Sequence, residues 1–173
     1  MIYTFRFISN EEESFIIDVN INHDQTFEQL HNTIQKTLGY DSKQLASFFT
    51  SNDNWEKIHE ITFVDMGNAD SVKTMSETSI DSFITEKDQR ILYIFDYFNE
   101  RLFFGSIVRT IDADAPIELP SVSKFEGTIP PQFKKDDITD DMIYDLNDLN
   151  DEEDDISFEE LPDDFDHYDP NDY

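Results

Sequence analysis

The sharpest constraint in this 173-residue sequence is where its charge lies. The last 38 residues, Asp136 to Tyr173, hold 18 acidic side chains and no Lys or Arg, whereas the preceding 135 hold 22 acidic and 12 basic ones. Of the formal net charge of -28, -18 therefore belongs to the tail and -10 to everything before it. A block of like charges repels itself and stays solvated, so the core has to be built from the first part of the chain. Punctuation marks the change: Pro130-Pro131 forces extended backbone, and Lys134-Lys135 are the last positive charges before the acidic run. The expected organisation is a folded domain over residues 1–133 and an acidic, largely flexible tail over 134–173.

The domain has ample apolar material, 38% hydrophobic and 14% aromatic residues over the chain, which excludes a wholly disordered acidic protein. Tyr3 to Ile8 and Ser14 to Ile21 read as two strands around the polar stretch Asn10 to Glu13. Phe27, Leu30, Ile34 and Leu38 recur at spacings of three and four, one face of a helix, with Thr26 as its N-cap and Gly39 at its C-terminal end. Gln44 to Thr50 and Lys57 to Val64 read as further strands with Trp55 in the turn between them. Asp65 to Val72 reads as a loop, and Ile80, Phe83 and Ile84 suggest one helical turn. Arg90 to Tyr97 and Leu102 to Ile111 are apolar enough to be central strands buried on both faces and joined as a hairpin. The predicted fold class is α+β: an antiparallel β-sheet with one principal helix packed on it, plus the acidic C-terminal tail.

Three stretches carry a resemblance to a known family. The first is Thr26-Phe27-Glu28-Gln29-Leu30-His31-Asn32-Thr33-Ile34-Gln35, running into Leu38-Gly39-Tyr40 and Leu45-Ala46-Ser47-Phe48. The second is Leu92-Tyr93-Ile94-Phe95-Asp96-Tyr97-Phe98. The third is Glu126-Gly127 followed by Pro130-Pro131-Gln132. Together they resemble the plasmid pRiA4b open-reading-frame-three family, found in plasmid and mobile-element contexts, over roughly residues 3–133. The family-motif positions are His31, Gly39, Tyr40, Tyr93, Asp96, Gly127, Pro130 and Pro131. The sequence departs from the family pattern after Asp96, where Phe98-Asn99-Glu100-Arg101-Leu102 replaces Gly-Asp-x-Trp, and at Gln44, where a His is common. The resemblance implies a fold and carries no established activity.

Several chemistries are excluded. With no cysteine there are no disulfides, thiolate nucleophiles or Cys-ligated zinc. His23, His31, His59 and His167 show no short metal-binding spacing, so no metal and no cofactor is expected. Four unclustered glycines make no phosphate loop, and no Gly-x-Ser-x-Gly elbow occurs. His31 flanks the apolar helical stripe, where a structural role outweighs that of a ligand or base. Asp96 closes a strand, where capping the turn through the Phe98 or Asn99 amide outweighs a role as a base.

In the tail, Asp148 to Glu159 follows the ligand spacing of a calcium loop, but Glu153 stands where the sharp turn needs glycine, so the match is compositional. Ile138, Met142, Leu146 and Leu149 have helical spacing, suggesting a short amphipathic helix over residues 139–150. Met142, Tyr144, Leu146, Leu149, Phe158, Leu161, Phe165 and Tyr168 are apolar groups set among acids, the pattern of a recognition segment. A non-catalytic interaction module is the main functional expectation. Its partner would be an unknown protein with a basic surface, and the tail would dock there or fold back on its own domain. The alternatives are a DNA mimic that occupies a nucleic-acid-binding protein, and an enzyme with a remnant site near Asp96. Direct nucleic-acid binding by the tail is excluded by its charge. No run of about 18 apolar residues occurs, so no membrane association is expected and a cytoplasmic location is.

Overall fold

A computed structural model describes residues 1–65, 67, 73–85, 87–112 and 118–133. The tail, with its eight candidate recognition residues and the expected helix over 139–150, lies outside the described residues.

Among the described residues, eight strands form one sheet: β1 (Ile2–Ser9), β2 (Ile16–Asn22), β3 (Ser47–Ser51), β4 (Lys57–Thr62), β5 (Lys73–Thr74), β6 (Arg90–Asp96), β7 (Arg101–Ile111) and β8 (Ser121–Glu126), in the order β5-β4-β3-β6-β7-β1-β2-β8. The same described residues include a helix, α1 (Phe27–Leu38), and a 3-10 turn, Ile80–Ser82. The hairpins β1-β2, β3-β4 and β6-β7 are local, as the alternating sequence and its polar turns require. Non-local pairing of β1 with β7, β3 with β6 and β2 with β8 joins them. The sheet is antiparallel apart from β4 and β5, which pair in parallel at Ile61↔Lys73 and Thr62↔Thr74, so it is mixed rather than purely antiparallel.

The helix forms where expected and for the expected reasons. The Thr26 hydroxyl accepts from the Gln29 amide while the Gln29 side chain accepts from the Thr26 amide, a reciprocal capping box. Gly39, at φ 68°, ends it in the left-handed conformation. Its buried face is wider than the apolar stripe, taking in His31 and Gln35 beside Phe27, Leu30, Ile34 and Leu38. That face lies on Phe48, Tyr93 and their cross-strand neighbours, with Phe27 5.4 Å from Phe48 and Phe48 stacked 4.6 Å from Tyr93. Gly105 is required beneath this layer, because a Cβ there would come within 2.7 Å of Phe7 and 2.8 Å of Ile91.

β6 is buried from Ile91 to Phe95, as a central strand should be. β7 is not: its burial alternates, because Leu102, Phe104 and Ser106 point to the face opposite α1. Trp55 does more than fill a turn. With φ 63° it lies edge-on 4.9 Å from Phe104 and under the Arg90 guanidinium at 4.8 Å, covering part of that face.

Candidate functional site

The family-motif positions fall into two polar clusters. In the first, beneath α1, His31 Nδ1 is 2.8 Å from the Tyr93 hydroxyl, which also accepts from Gln35 Nε2 at 2.5 Å. The Tyr93 hydroxyl thus joins the two helix side chains, one helical turn apart, to the central strand. His31 Nε2 and the Gln35 Oε1 atom are buried with no hydrogen-bond partner. Burial pushes the His31 pKa down to about 4 and drives the Tyr93 phenol upward, so both groups are neutral at pH 7. The Phe63 ring, 4.7 Å from the imidazole, closes the cluster on another side. A neutral, sealed imidazole of this kind has no access to a substrate proton.

The second cluster brings the remaining motif positions to one end of the sheet. Tyr40, just past the helix, donates its hydroxyl proton to the Pro130 carbonyl. The Asp41 amide donates to Gln132 Oε1 at 2.6 Å, and Gln132 Nε2 returns a bond to the Asp41 carbonyl at 3.1 Å. Arg101 holds the same segment from the strand side, donating to the Pro131 carbonyl at 2.6 Å and the Gln132 carbonyl at 2.9 Å. Its other donors grip Glu11 at 2.9 and 2.7 Å, and its guanidinium lies 5.0 Å over the Phe95 ring. Gly127, at φ 86°, lets the segment pass against the Ser14 carbonyl, where any Cβ would overlap it. Burial raises the Tyr40 phenol, with Arg101 acting in the opposite direction.

Asp96 sits between this clasp and the β6-β7 turn. Its Oδ1 accepts from the Asn99 amide at 3.2 Å, its Oδ2 accepts from Asn99 Nδ2 at 2.9 Å, and Arg101 lies 3.6 Å away. Both carboxylate oxygens are thus engaged in ordering the turn, and His31 has a different set of partners. Arg101, Glu11, Gln35 and Gln132 are the members that motif reading does not flag as site residues. Gln35 is detectable only as the i+4 neighbour of His31 on one helical face, and the Glu11–Arg101 pair leaves no local signal.

Four basic side chains share a row on the face opposite α1. The strand registers align Lys57, Ser51, Arg90, Ser106, Arg6, Asp18 and Lys124 in one cross-strand row. Each cation is already engaged: Arg6 with Asp18 at 2.7 Å, Lys57 with Glu100 at 3.5 Å, Lys124 with Glu126 at 3.0 Å, and Arg90 with Trp55 and the Asp53 carbonyl. Three of the four cations in the row are thus paired with carboxylates, and Arg90 is held by neutral groups. Among the described residues, no group of three or more His, Asp or Glu could hold a metal ion, and no helix is long and apolar enough to cross a membrane.

The profile of a family described as plasmid pRiA4b ORF-3-like protein matches residues 8–173, so the match runs through the acidic tail as well as the motif-bearing region. No curated protein matches the chain. Among solved structures, the chain is similar to a protein of unknown function, MM3350, from Methanosarcina mazei Go1, with 16% sequence identity and a TM-score of 0.56. The likeness covers 72% of this chain and 68% of that one. At that identity the likeness concerns the fold.

Proposed function

The chain belongs to the plasmid pRiA4b ORF-3-like family, and from that premise we propose that it is a non-catalytic interaction module. Its partner is a protein with a basic surface, engaged in part by the acidic segment 136–173. The observation that carries the non-catalytic reading is the internal use of the motif polar groups. Tyr40 and Arg101 clamp the 130–132 backbone, Asp96 orders a turn, and His31 is neutral under the helix. Groups so engaged are scaffolding. The tail reading rests on its 18 acids and no bases, interspersed with Met142, Tyr144, Leu146, Leu149, Phe158, Leu161, Phe165 and Tyr168. Attraction of this kind weakens steeply with salt. Affinity capture with the full chain and with a chain lacking residues 136–173 tests it, and equal recovery of the same partner would remove the tail from the account.

The density of the tail's charge favours one second reading, in which rows of carboxylates imitate a phosphate backbone and occupy the groove of a nucleic-acid-binding protein. Competition between the intact chain and DNA for that partner separates the two.

A further inference from the structure

We draw no further inference here: the strongest candidate, the sheet face opposite α1 where Lys57, Arg90, Arg6 and Lys124 share one cross-strand row beside Trp55 and Phe104, carries nothing, because three of those cations are already paired with carboxylates and nothing in the structure shows what covers it.

Discussion

Arg101 and Glu11, 90 residues apart in sequence, form a two-pronged ion pair at 2.9 and 2.7 Å in which the guanidinium is only 3% exposed. A buried charge whose partner is removed keeps its desolvation cost and loses its compensation. Glu11→Ala should therefore lower unfolding free energy by about 3 kcal/mol in urea titrations at neutral pH. Arg101→Lys should cost about 2 kcal/mol, since one ammonium cannot serve a carboxylate and two carbonyls in the same fork geometry. Losses below about 0.5 kcal/mol, the range of an exposed pair, would show that the clasp does not hold the segment 130–132.

Two glycines at positive φ make a controlled comparison. Gly39 has open space where a Cβ would go, whereas a Cβ on Gly127 would overlap the Ser14 carbonyl. Gly39→Ala should cost only the left-handed backbone preference, about 1 kcal/mol. Gly127→Ala adds a steric clash with fixed backbone and should cost about 3 kcal/mol, or displace the segment that follows. Equal midpoints for the two variants in thermal denaturation would contradict the close approach at Ser14.

The sealed imidazole makes stability depend on pH in a predictable direction. His31 has its pKa lowered to about 4 in the fold, against about 6.5 in an unfolded chain. Between those values the unfolded chain binds the proton and the folded one does not, so stability rises with pH. The contribution is complete above about pH 6.5 and is lost as pH falls toward 4, amounting to about 3 kcal/mol in all. His31→Asn keeps a polar group able to hydrogen-bond with the Tyr93 hydroxyl but cannot titrate. Its unfolding free energy should be flatter over that window than the wild type's, and parallel profiles would place the acid sensitivity elsewhere.

The features legible in the sequence are those with local causes. Thr26, the apolar stripe and Gly39 define α1 because capping and periodicity act within a few residues, and Asp96 could be read as a turn cap for the same reason. Ser121–Glu126 is different: as an edge strand it needs few apolar side chains, and its Ser, Lys and Glu gave it no strand-like pattern, yet it pairs along β2. The two-residue parallel strand Lys73–Thr74 is too short for any periodicity. Within the clusters, Gln35 and Arg101 read as ordinary polar residues because their partners are distant in sequence: 58 residues for Gln35 and Tyr93, and 90 for Arg101 and Glu11. Long-range polar pairing is set by the sheet order β6-β7-β1, which local patterns do not specify.

Asp96 is where a catalytic and an architectural role make opposite demands. As an architectural group, its two oxygens accept from the Asn99 amide and side chain, and its charge faces Arg101 at 3.6 Å. Asp96→Asn preserves one acceptor oxygen but turns the other into a donor that faces the Asn99 NH2. It should cost about 1 kcal/mol, and Asp96→Ala, which removes both acceptors, about 2 kcal/mol. Hydrogen exchange at the Asn99 amide should quicken in the same order, because that amide loses its acceptor only in the Ala variant. A carboxylate kept for proton transfer would behave otherwise, since its neutral isostere abolishes chemistry while leaving the turn intact. If both variants unfold like the wild type and Asn99 exchanges at an unchanged rate, the capping role fails and Asp96 returns to the candidates for chemistry.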